Sequence, residues 1–240
     1  MKKYLTETRM LDFSHPEIQS LIDRRGWKQM DETEKTKQIY YFCKDEIPFG
    51  YNADTDDMPA SSVLKEGIGH CNSKATLLMA LLRAVGVPCR IHGFTIFKKL
   101  QKGAMGMVPY ALAPAEILHS WAEVYVNDQW IDLEGIILDK AYLYRIQEKF
   151  KNADGVFCGY AIATENLKNP NVNWNGGSTY IQKHGIAKDF GVFDSPDDFY
   201  ASQGTNVKGI KKILYKTIVH KLMNASVKKI RNHRSKYNYN

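Results

Sequence analysis

The chain has 240 residues, of which 44% are hydrophobic and 12% aromatic. That is enough apolar content for a sizeable core, and it argues against disorder as the main state. The formal charge of +7 belongs to one end: residues 199–240 carry ten Lys or Arg and no acid, and removing those ten charges leaves the preceding 198 residues at −3. The four cysteines, Cys43, Cys71, Cys89 and Cys158, form no Cys-x-x-Cys pair, which speaks against a zinc ribbon or a disulfide scaffold. The opening "MKKYLTETRMLDF" lacks the apolar run of a signal peptide. No stretch of about 18 apolar residues predicts a transmembrane helix. A cytoplasmic, thiol-reducing setting is the expectation.

In chain order, "FSHPEIQSLIDRRGW" predicts a short helix, with Ser14 as N-cap, Pro16 in the first turn and Gly26 at the end. "DETEKTKQIYYFCKDEI" predicts a second, with Asp31 and Glu34 spaced as a capping box and Ile39, Phe42, Cys43 and Ile47 facing the core. Residues 51–70 read as loop, with a short helix at "ASSVLKEG". A helix from Cys71 to about Val85 is apolar on most sides and therefore buried; Gly86 and Pro88 end it. "CRIHGFTIF", "HSWAEVYV" and "QWIDLEG" are strands, the last two joined by a two-residue turn at Asn127-Asp128. "LDKAYLYRIQEKF" is helical, residues 165–209 read as loops with short elements, and 207–232 form an amphipathic helix. Helices followed by antiparallel strands predict an α+β fold. Residues 1–164 are read as the catalytic domain and 165–240 as a loop-rich extension packed on it.

A cysteine at a helix start has unpaired N–H groups and the helix dipole to favour its thiolate. The Gly67-Ile68-Gly69 turn before Cys71 is a candidate source of N–H groups for an oxyanion. His119 is the candidate base. Strand alternation puts it on one face with Trp121, Glu123 and Tyr125. With Asn127-Asp128 as the turn, Val126 faces Gln129, Tyr125 faces Trp130 and Glu123 faces Asp132. Glu134 is then the diagonal neighbour of His119, roughly 7–8 Å away between backbones. That register selects Glu134 to orient His119, with Asp132 in reserve. A one-residue slip would turn both acids to the other face. Trp121, Trp130 and Tyr125 share the face and are candidate substrate contacts, although aromatic packing explains them equally well.

The set "GIGHC", "LLRAVGVP", "CRIHGF", "HSWAEVYV" and "WIDLE", over residues 59–135, resembles the transglutaminase-like superfamily of papain-like cysteine enzymes. The resemblance implies a nucleophile helix packed on an antiparallel sheet, with Cys71 as nucleophile and His119 as base. The family's acid falls four residues after the Trp, which is Glu134 here, a Glu in place of the usual Asp. It implies acyl transfer through a Cys thioester: hydrolysis, deamidation or transamidation of peptide or protein amides. Hydrolysis is favoured because a water-accessible thioester hydrolyses by default, whereas crosslinking needs a dedicated amine site. The alternative is a degenerate member that binds peptides or proteins without catalysis.

No cofactor is implied, and no four-residue metal-ligand set emerges. Cys43, Cys89 and Cys158 are read as core residues. The basic C-terminal helix is expected to pack its apolar stripe on the domain. An anionic membrane surface is its second reading. Nucleic acid is the third, supported by charge alone without a binding fold.

Overall fold

The computed structural model describes residues 1–232; the last of the basic segment, 233–240, lies outside them. Four helices come first: α1 (Pro16–Arg25), α2 (Glu32–Tyr41), α3 (Ala60–Glu66) and α4 (Cys71–Ala84). Pro16 opens α1, and Gly26 closes it at φ 66° with its N–H on the Asp23 and Ile22 carbonyls. The cap is not Ser14. Both the Ser14 N–H and its hydroxyl bond Glu7, and His15 Nδ1 accepts the Glu17 N–H instead. Asp31 caps α2 through the Glu34 N–H at 2.9 Å. The Glu34 carboxylate accepts from Gln38, so only half of the expected capping box forms.

α4 is buried along nearly its whole length, polar residues included. Each polar side chain has partners. Arg83 donates to the carbonyls of Thr6, Cys89 and Asp194. Lys74 donates to those of Lys44 and Ile137, both at 3.1 Å. The helix packs on a sheet built from β1 (Cys89–Phe97), β2 (Glu116–Val126) and β3 (Gln129–Leu133), with α5 (Met107–Leu112) between β1 and β2 in sequence. Asn127 and Asp128, at φ 52° and 60°, make the tight turn of the β2–β3 hairpin. Its register is the expected one: Val126 faces Gln129, Tyr125 faces Trp130 and Glu123 faces Asp132. The α+β architecture is as predicted, with the nucleophile helix laid on an antiparallel sheet.

Beyond the hairpin come α6 (Lys140–Lys149), a two-stranded ribbon of β4 (Phe157–Gly159) and β5 (Ile162–Thr164), β6 (Ile186–Phe193), α7 (Pro196–Gln203), α8 (Ile210–Leu214) and, after a wide turn, α9 (His220–Asn232). β6 comes from the stretch expected to be mostly loop. It is the edge strand beside β1, giving the sheet order β3-β2-β1-β6. The apolar stripe of the C-terminal helix packs only in part. Met223 and Val227 are buried, but Ile210, Ile213, Leu214, Ile218 and Leu222 are about half exposed or more. Cys43 and Cys89 are core residues, whereas Cys158 is exposed, because its strand β4 belongs to the small ribbon outside the main sheet. Among the described residues no helix is long and apolar enough to cross a membrane.

Candidate active site

Cys71 is the first residue of α4 and is half-buried. The two glycines of the turn before it do not supply free N–H groups. The Gly67 N–H is taken by the carbonyls of Val63 and Leu64, and the Gly69 N–H by that of Pro48. Glycine is needed at 69 for a different reason: a Cβ there would stand 2.6 Å from Lys74 Cγ. The N–H groups that bear on the thiol are those of Asn72 and Cys71 itself. Burial, then the carboxylates of Asp56 and Glu134, push the thiol well above its ordinary value against those N–H groups. Sγ faces His70 Nδ1 at 3.9 Å. His70 stacks on Tyr51, and burial pulls it below its ordinary value although Asp56 opposes. The resting pair is therefore a neutral thiol beside a neutral imidazole.

His119 lies fully buried on β2, in edge contact with Phe94. Its Nε2 is 3.4 Å from Glu134 Oε1. The second oxygen of Glu134 accepts three backbone N–H groups, from Ile181 and Gln182 at 2.9 Å and Lys183 at 3.1 Å. This cradle holds the carboxylate charged and aimed. His119 Nδ1 has no hydrogen-bond partner among the described residues, so the Cys71 thiol is not bonded to it in this conformation. Asn72 ties the two halves together. Its Nδ2 donates to the Leu118 carbonyl and its Oδ1 accepts from the Ser120 hydroxyl. The residue after Cys71 thus grips both chain neighbours of His119. Asp56 Oδ1 and Oδ2 fix this knot through Asn72 and the Asn206 N–H.

Asp132 is elsewhere: its carboxylate takes the Tyr180 hydroxyl. Glu123, opposite it, accepts from Arg90 and His92. Trp121 packs between Phe94, His92 and Tyr180. Trp130 packs against Tyr4 and Tyr125, with Arg90 over its ring at 4.0 Å. None of these three aromatic candidates lines the cavity at Cys71. Among the described residues no three His, Cys, Asp or Glu side chains gather as metal ligands.

That cavity has a volume of about 530 Å³. Cys71, His70 and Asn72 lie at its base, with Phe49, Tyr51 and Ile137 beside them. Ile117 and Leu118 of β2 form one wall, and Leu214, Tyr215, Val219 and Met223 form the roof. Thr55 also lines it, in the left-handed region at φ 61°. For a β-branched residue that conformation costs about 1–3 kcal/mol, a strain typical of functional loops. The sequence reading missed Asn72, Asp56 and the Ile181–Lys183 cradle. Only "CNSK" was a local signal, an amide directly after the cysteine.

Residues 21–135 match the model of the transglutaminase-like superfamily. The matched span contains Cys71, His119 and Glu134, and it ends one residue after the acid. The superfamily match does not reach the cradle or the cavity roof, which come from residues beyond 135. No curated protein matches the chain. Among solved structures, one described as a "Putative Cysteine Protease from Cytophaga hutchinsonii" is similar at 15% identity and a TM-score of 0.47. It covers 81% of this chain, and this chain spans 47% of that one.

Proposed function

We propose that the chain is a thiol enzyme that cleaves amide bonds of peptides or proteins through a Cys71 thioester. The observation that carries this reading is the state of His119. One ring nitrogen meets an acid anchored by three backbone N–H groups. The other is buried and unpartnered, on a strand gripped by the residue next to the cysteine.

In this mechanism Nε2–H donates to Glu134, which leaves the Nδ1 lone pair as base. The mechanism requires Sγ to turn from His70 to Nδ1, by rotation of Cys71 about its Cα–Cβ bond. The thiol proton passes to Nδ1 as the C–S bond forms. The N–H groups of Cys71 and Asn72 face the oxyanion. His119 returns the proton to the leaving amine as the C–N bond breaks. Water, deprotonated by His119, then forms a C–O bond to the thioester carbon, and as the C–S bond breaks His119 returns the proton to Cys71 and the acid leaves.

Water is favoured over an acceptor amine as the resolving nucleophile. An amine would enter as a cation and need a free carboxylate. Asp56, the carboxylate lining the cavity, is committed to Asn72 and Asn206. Four free cysteines suit the reducing, cytoplasmic setting proposed for the enzyme.

The test is iodoacetamide labelling of Cys71 across pH, in wild type and His119→Ala. Labelling in wild type should be at least tenfold faster near neutral pH. Labelling that follows an ordinary thiol and ignores His119→Ala would defeat the reading, and would leave a binding module in its place.

A further inference from the structure

The cavity over Cys71 has the wrong chemistry for an extended peptide. Each residue of a peptide brings an N–H and a C=O, and burying either without a partner costs free energy. Most polar side chains along the cavity are already spoken for. Gln101 accepts the Tyr51 hydroxyl, and Asp56 and Asn72 hold each other. Two buried polar atoms are left over, Gln182 Oε1 and Thr55 Oγ1. The Gln182 orientation is fixed because its Nε2 donates to the Ala161 carbonyl at 2.6 Å, so the free atom is an acceptor. Both atoms are closed off from the cavity itself, whose accessible walls are mainly apolar.

The apolar lining continues outward. Pro109 and Leu112 of α5 and Leu214 of α8 belong to the same cavity. Next to them Met107, Val108, Ile210 and Ile213 stand in solvent, Met107 at 89% and Ile210 at 86% exposure. Apolar side chains thus continue from the cavity lining into solvent on both α5 and α8. An aliphatic chain suits such a lining, whereas each residue of a buried peptide would bring an N–H and a C=O that need partners.

We propose that this cavity holds the aliphatic chain of an N-acyl substrate, with the acyl carbonyl at Cys71. The assignment rests on the thiol-enzyme reading for the place of the carbonyl, and it narrows that reading's peptide and protein amides to amides that carry an aliphatic acyl group. The amide hydrolysed is then the one that joins a long acyl group to an amine or to a peptide, and its acyl side enters the cavity.

The test uses the full chain and needs no turnover. Alkylation of Cys71 by iodoacetamide is followed by mass spectrometry of its peptide, with hexanamide, octanamide or decanamide as protectant. Each added methylene should tighten protection about fourfold. Equal protection by all three would overturn the proposal. So would stronger protection by N-acetyl-leucyl-leucinamide than by decanamide. Val219→Trp in the roof and Ile117→Trp in the wall should each abolish the chain-length dependence, with circular dichroism checking the fold. An unchanged dependence in a folded variant would refute the placement. His119→Ala should keep the chain-length dependence even as it loses base-assisted labelling, so this assignment and the triad fail separately.

Discussion

At Glu134 one carboxylate oxygen accepts three backbone N–H bonds and the other faces His119 Nε2. Glu134→Gln keeps the shape but not the donor pattern. The three N–H groups hold the glutamine oxygen, so its NH₂ must point at Nε2. His119 then accepts on Nε2 and carries its proton on Nδ1, the nitrogen needed as base. Amide turnover should fall by about 10³–10⁴-fold, the scale seen when a triad acid is replaced by its amide. Asp132→Asn should stay within a few-fold, since its partner Tyr180 can still donate to the amide oxygen. Comparable losses in both would contradict the assignment. Lys74 gives a different test. Burial pulls its pKa to about 7 from 10.5. A neutral amine has two N–H donors, and two carbonyls receive them. Between those pH values the unfolded chain binds the extra proton, so stability rises with pH and is lost as pH falls toward 7. The slope for one proton is about 1.4 kcal/mol per pH unit. Lys74→Met should flatten the unfolding free energy by about that slope between about pH 7.5 and about pH 9, read by urea titration. Cys43 and Cys89, pushed up to about 12 and about 11, oppose it only above the thiol's ordinary 9.0. Taking the difference between wild type and variant removes the other groups.

At the scale of elements, the sheet accepts α7 because β1 has no side chain at one point. A Cβ on Gly93 would stand 2.2 Å from the ring of Phe199, which is fully buried. Gly93→Ala must push that ring and the helix away, and should destabilise the fold by about 2 kcal/mol in urea titration. An unchanged midpoint would mean that α7 is loosely seated. The β2–β3 hairpin was legible in the sequence because its two strands are joined by two residues, and the period of two then sets every pair up to Glu123 and Asp132. That local rule placed Glu134 beside His119. β6 was not legible. Its ladder to β1 shifts register twice, and exposed Lys188 and Asp189 break any alternation. The cradle for Glu134 was hidden for a related reason. It consists of backbone N–H groups 47 to 49 residues downstream, and backbone donors carry no sequence signature.

Across the whole molecule, residues distant in sequence close over the same cavity. α9 docks through two residues. Asn224 exchanges two hydrogen bonds with the Tyr51 backbone, at 2.8 and 2.9 Å. Arg231 donates to the Phe49 carbonyl and pairs with Asp139, which also caps α6. Phe49 and Tyr51 line the cavity from below, and Val219 and Met223 roof it from the C-terminal side. The clamp and the cavity are thus one structure. Burial pushes the Asp139 carboxyl up, but the Arg231 hydrogen bond and charge outweigh it and hold it below its ordinary 3.8. Its contribution is present above that value and lost as pH falls through the lower, folded one. Arg231→Ala leaves Asp139 buried with the Phe49 and Tyr142 N–H groups as partners. The loss should be about 2 kcal/mol, and it should appear locally before it appears globally. Hydrogen exchange should quicken through α9 while α4 stays protected. Cys71 alkylation should speed up as the roof opens, and the chain-length dependence of protection should weaken. If α9 exchanges as in wild type, Arg231 is not the clamp. If α9 loosens but Cys71 reacts no faster, the helix does not gate the thiol, and entry must run along the α5 side alone.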